Sequence, residues 1–168
     1  MANLVKSPWD EVVYMVAPIY ASNNFILRAE ERDVNMTHLK LQKLLYILYA
    51  RHIYKTGEAL FSDRFQAWKY GPVLTEIYDI FKREGPDPLT ALRPDPNGEI
   101  FIVVEDGKFG ECFNEVWDKF ANVSAADLVS LTHEPDSAWR KAVINNDYRL
   151  GGFLNDSDIR RDGGAWFE

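Results

Sequence analysis

The chain has 168 residues, 46% of them hydrophobic and 27% charged, the balance of one ordinary globular domain that needs no metal or disulfide staple. Nineteen Lys and Arg stand against 26 Asp and Glu, a net charge of -7, which makes a nucleic-acid backbone a poor partner. A single cysteine, Cys112, excludes an intrachain disulfide and a cysteine-based zinc cluster, and no apolar run approaches the ~20 residues of a membrane span, so a cytoplasmic protein is expected.

Residues 1–17 read as an extension without a signal-peptide pattern. Ser7-Pro8 followed by Asp10 and Glu11 signals a short helix, which Pro18 interrupts. Ser22 is the expected N-cap of a helix over about 22–32, broken by Asp33-Val34-Asn35. The strongest segment runs from 37 to 55, with Thr37 as cap and Gly57 as stop. Leu41, Leu44, Leu45 and Leu48 form one apolar face and Leu39, Tyr46, Ala50 and Ile53 the opposite one, so this helix is expected at the centre of the domain. Lys40, Lys43, Arg51 and Lys55 share the remaining arc. They read either as a solvated stripe with buried stems or, for Lys40 and Lys43, as partners of carboxylates in this chain or another.

Leu60-Phe61 and residues 65–69 read as extended, and Tyr70-Gly71-Pro72 as a turn into a helix from Val73 to Glu84. Residues 86–98 hold a run of prolines and read as a surface loop. Ile100 to Val104 is the best strand candidate. Helices are expected at Gly110 to Phe120, at Ala125 to Thr132 behind the Ser124 cap, and at Ala138 to Asn145. The tail from 150 mixes Gly, Asp and Arg and reads as mobile, except that Trp166-Phe167 suggests docking. The expected class is mainly α with a minor β element: a helical domain around one central helix, with a small hairpin or short strands near 65–70 and 100–109.

Signatures of catalysis are missing. There is no G-x-S-x-G elbow, no phosphate loop and no H-E-x-x-H zinc helix. His38, His52 and His133 are scattered: His38 and His52 lie too far apart along one helix to share a metal, His133 at a helix end reads as structural, and an enzyme using His133 or His38 is the third reading. Glu111 and Glu115 near Cys112 disfavour a thiolate, and Glu30/Glu31 and Asp156/Asp158 read as solvated carboxylates. The segment Trp68-Lys69-Tyr70-Gly71-Pro72 is more informative. It reads as a turn pinned to the core by Trp68, as an exposed aromatic and cationic hot spot, or as both.

Met36-Thr37-His38-Leu39-Lys40-Leu41-Gln42-Lys43-Leu44-Leu45-Tyr46 resembles the "T-x-L-K-L-Q-K-L-L-Y" helix of the Panacea domain, the SocA-like/GepA-like antitoxin family. Gly57 to Phe61, Ala67 to Val73, and Leu131-Thr132-His133 with Trp139 follow in the family's order, so the likeness covers roughly residues 20–145. It departs at the extension, the Pro-rich insert 86–98 and the tail. The expected division is an N-terminal extension 1–17, a Panacea-like helical domain 18–149 and a C-terminal tail 150–168. The resemblance implies a cytoplasmic, bacterial or phage-associated protein, non-enzymatic and without cofactor or metal. It would bind and neutralise a cognate toxin encoded by an adjacent gene; the alternative is an adaptor that delivers a bound client to an ATP-dependent protease. The Lys40/Lys43 stripe and the Trp68–Val73 turn are expected to flank a groove for the partner, with Lys40, Lys43, Tyr46, Trp68, Lys69, Tyr70, Pro72 and Val73 as its contact residues.

Overall fold

One helix organises the fold in the computed structural model, which describes residues 3–5, 15–145 and 152–168. It is α2 (His38–Thr56), and its limits follow from its sequence. The Thr37 hydroxyl oxygen accepts from the Lys40 N–H at 3.2 Å, and Gly57 closes the helix in the left-handed region at φ 75°. Every residue from Lys40 to Ala50 is buried, so both expected apolar faces are covered.

Helix α1 (Pro18–Glu31) starts earlier than expected. Pro18 opens it instead of interrupting, because the first turn has no partner for the N–H that proline lacks. Ser22 therefore lies inside the helix and donates to Pro18 O at 2.8 Å. The short helix expected around Ser7 to Glu11 lies outside the described residues.

The minor β element consists of two small pairs. β1 (Asn3–Val5) lies parallel to β4 (Phe101–Val103), while β2 (Gln66–Trp68) and β3 (Gly71–Val73) form an antiparallel hairpin closed by Lys69-Tyr70. Pro72 sits in β3, and α3 (Thr75–Phe81) starts two residues after the expected Val73, continuing as a 3-10 turn over Lys82–Glu84. The delay has a cause: Gln42 takes both backbone groups of Leu74 and holds that residue extended. Helix α4 (Gly107–Phe120) begins before the expected Gly110 and ends the extended stretch early. Helices α5 (Ala125–Thr132) and α6 (Ala138–Asn145) fall where their caps predict, with the Ser124 hydroxyl accepting from the Asp127 N–H at 3.0 Å.

The tail departs most from expectation. Residues read as mobile form α7 (Asp156–Ala165), which packs on α2 beside α4: Arg51 of α2 bonds both Glu115 of α4 and Gly163 O of α7. Asn155 caps it by accepting from the Ser157 N–H at 2.8 Å, and Asp156 accepts from the Tyr49 hydroxyl at 2.9 Å. Gly163 and Gly164 look like breakers in the sequence, yet they permit the close helix crossing: a Cβ at 163 would collide with the Ala50 carbonyl. The closing aromatics do dock, Trp166 against Tyr46 at 5.9 Å between ring centroids and Phe167 against Phe120 at 5.5 Å. Among the described residues no helix is long and apolar enough to cross a membrane.

Candidate functional site

A helix buried on all sides must satisfy its polar side chains within the protein. The polar residues of α2 do so by gripping the backbone of other segments. The Gln42 carboxamide donates to Leu74 O at 2.9 Å and accepts from Leu74 N–H at 3.0 Å. Lys43 Nζ donates to Pro72 O at 2.7 Å, and Lys40 Nζ donates to Ala121 O. The Tyr46 hydroxyl donates to Asp162 Oδ2 at 2.6 Å, and the same carboxyl oxygen accepts from the Ala138 N–H at 3.1 Å. Burial pushes Asp162 up to about 6 and raises the Tyr46 hydroxyl well above its ordinary range.

Two of these clamps, from Gln42 and Lys43, hold the β2–β3 hairpin and its exit, while Lys40 holds the end of α4 and Tyr46 holds α7. Gly71 has φ 104° and lies so close to α2 and α5 that a Cβ there would sit 2.7 Å from Thr132 Oγ1 and 2.9 Å from Lys43 Cε. From the side, Trp139 Nε1 donates to Trp68 O at 2.7 Å, with the His133 ring stacked on Trp139 at 3.7 Å. The Trp68 ring packs edge-on against Tyr78 at 4.8 Å, and its Nε1 donates to Gln66 Oε1 at 3.0 Å. Only the tip escapes. Lys69 is exposed, Tyr70 is 58% exposed, and the Lys69 ammonium lies 5.3 Å from the Tyr70 ring centroid.

The eight expected contact residues therefore separate. Lys40, Lys43, Tyr46, Pro72 and Val73 are buried, and of the three from α2 Lys43 is the one bonded to the hairpin; Trp68 is half-buried, and Lys69 and Tyr70 reach solvent. Neither reading of the lysine stripe holds: Lys40 and Lys43 are not solvated, and they bond carbonyls instead of carboxylates. Lys43 touches the turn directly, whereas Lys40 reaches Ala121 at the end of α4.

One neighbour of this face is not foreseen. Phe153 bridges Gln66 in antiparallel fashion and is 47% exposed, with the Arg64 guanidinium 4.4 Å from its ring centroid. No periodicity marks it, because the pairing joins segments far apart in the chain.

The remaining titratable groups behave as packing elements. His38 Nδ1 and His133 Nε2 are buried without a hydrogen-bond partner among the described residues. Burial lowers both imidazole pKa values, with Lys43 adding at His38 and Arg140 and then Lys43 at His133. Burial pushes the Cys112 thiol up to about 11, with Glu115 adding to the effect. Asp156 and Asp158 are not merely solvated: they take the Tyr49 hydroxyl and the Lys141 ammonium. No three His, Cys, Asp or Glu side chains are grouped to hold a metal among the described residues.

The fold is thus a mainly α domain built around α2, with a small aromatic hairpin displayed at its surface. Residues 41–140 match the model of the antitoxin SocA-like Panacea domain. The chain belongs to that family. It is 30% identical over 123 residues to antitoxin SocA of Caulobacter vibrioides (strain NA1000 / CB15N), an alignment covering 70% of this chain and 65% of that relative. The chain thus spans somewhat less than two thirds of the relative's length. No solved structure matches it.

Proposed function

We propose that this protein is an antitoxin that neutralises a toxin by direct binding, with the contact centred on the Lys69–Tyr70 tip and its flank of Trp68, Arg64 and Phe153. One observation carries the location: the tip is exposed while the residues on either side of it are clamped to the core. A tyrosine on a fixed backbone offers large contact area with little ordering cost, which suits a binding hot spot. Lys43, Pro72 and Val73 serve the contact as positioning residues, and Lys40 and Tyr46 hold the core behind it. The net charge of -7 favours a basic partner and a salt-sensitive association rate. The product of an adjacent gene, in the cytoplasm, is the partner to test.

Co-expression with that product should rescue growth and give a stable complex. The double substitution Lys69→Ala/Tyr70→Ala should weaken the complex by ~2 kcal/mol or more while leaving the melting temperature in place, because neither side chain is buried. A harmless neighbour that does not co-purify would remove the reading. A complex untouched by the double substitution would remove the location.

A further inference from the structure

The histidines differ in what meets a ring nitrogen. His52 Nδ1 lies 3.1 Å from Glu58 O, an acceptor for a proton on that nitrogen. His38 Nδ1 and His133 Nε2 are buried with no partner among the described residues. A neutral imidazole can carry its one proton on the other nitrogen and leave the buried one a bare lone pair. An imidazolium must place its second proton on the buried nitrogen, where no acceptor stands. Charging either ring therefore favours its turning out to water.

Both rings stand one aromatic side chain away from Trp68 of the hairpin. The His133 ring stacks on Trp139 at 3.7 Å, and Trp139 Nε1 donates to Trp68 O at 2.7 Å. His38 meets Tyr78 edge-on at 6.2 Å, and Tyr78 meets the Trp68 ring in the same fashion at 4.8 Å. The charges around the two rings are cations. Lys43 acts on both, Arg140 acts on His133 and donates to its carbonyl, and the hairpin itself carries Lys69. The carboxylates of the neighbouring elements are engaged elsewhere or stand apart. On α3, Glu76 lies beside Asp63 and Asp79 pairs with Lys82. Around α5 and α6, Glu134 accepts from Trp166 Nε1, Asp136 pairs with Arg161, Asp162 takes the Tyr46 hydroxyl, and Asp127 is exposed in the first turn of α5.

We infer that His38 and His133 form a proton-operated latch on the β2–β3 hairpin, which fixes the Lys69–Tyr70 tip while both rings are neutral and releases it when they are protonated. Burial lowers both imidazole pKa values from the ordinary 6.5, so the packed rings bind protons less readily than released ones. The latched arrangement is therefore at full strength above 6.5 and loses stability as pH falls below it. Lys43 keeps its bond to Pro72 O, so release is local: the Trp68 side of the hairpin loosens while α2 stays packed. The latch concerns the order of the hairpin in the chain alone and does not rest on the toxin reading.

The test follows the Trp139 indole N–H of the full chain by NMR, as its exchange protection relative to the free rate at each pH, with far-UV circular dichroism alongside. From about pH 8 to about pH 5, the range in which histidine changes charge, protection should fall by ~10-fold or more while the helical signal stays. His38→Phe/His133→Phe keeps both rings and removes their protons, so its protection should vary by less than ~2-fold over the same range. His52→Gln should behave as wild type, since His52 has its acceptor away from the hairpin. Protection that does not fall, that falls equally in the double phenylalanine variant, or that falls only together with the helical signal overturns the inference. If the double variant does not fold, His38→Gln and His133→Gln are measured singly. Each should then keep more protection at low pH than wild type, and wild-type behaviour in both overturns the latch.

Discussion

Lys43 is the side chain on which the hairpin rests. Its ammonium is wholly buried and donates to one neutral carbonyl, Pro72 O. Burial disfavours the charged form and lowers its pKa from 10.5 to about 7. Below pH 7 the folded and unfolded chains both hold the proton, and the contribution is flat. Between about 7 and 10.5 the unfolded chain binds more protons than the folded one, so this residue makes stability rise with pH across that window. Lys43→Met keeps the stem and removes the titration. The stability difference between wild type and variant should therefore shift towards the wild type as pH rises through that window, by on the order of a few kcal/mol. Urea melts of both chains at pH 6 and pH 9.5 (values set about a unit outside and inside the window) measure the shift. Parallel pH profiles would mean that the amine is hydrated in the folded state.

Among the elements, the α2–α7 crossing is the contact with least room. A Cβ at Gly163 would overlap the Ala50 carbonyl and lie 2.9 Å from Arg51 N, both of them backbone atoms that cannot rotate away. Gly163→Ala gains ~1 kcal/mol in helix propensity but forces the helices apart, and overpacking of this kind costs ~1–3 kcal/mol. Because the obstacle is backbone, the steric cost should win, and the urea midpoint should fall. A midpoint that rises would place α7 farther from α2 than this geometry has it.

The same crossing explains what the sequence conceals at this scale. α2 is legible because Thr37 and Gly57 mark its ends and two apolar faces mark its burial. α7 is not, since Ile159 is its one large apolar side chain among Asp, Arg, Ser and Gly; tertiary contact, not pattern, makes it a helix. Hydropathy likewise cannot reveal that Lys40 and Lys43 point inward, because the carbonyls that receive them belong to Ala121 and Pro72. The Trp68–Pro72 turn is legible from its residue types, while its exposed neighbour Phe153 depends on a pairing that no local signal records.

At the scale of the whole molecule, α7 decides whether the tail is an appendage or part of the core. Ile159 and Trp166 belong to the same buried cluster as Tyr46, Leu45 and Phe113. Asp162 joins α7 to both α2 and the start of α6. Removing residues 152–168 would orphan the Tyr46 hydroxyl and the Ala138 N–H, each at ~1–3 kcal/mol, and would expose one flank of the central helix. Those costs together rival the ~5–15 kcal/mol that holds an ordinary domain folded. The truncated chain should therefore lose helical signal well beyond the ten residues of α7 and lose its cooperative melt, as circular dichroism with a thermal scan would record. A tail integrated in this way is part of the folded core and not a loose arm. A truncated chain that still melts cooperatively close to the full one would make α7 an appendage.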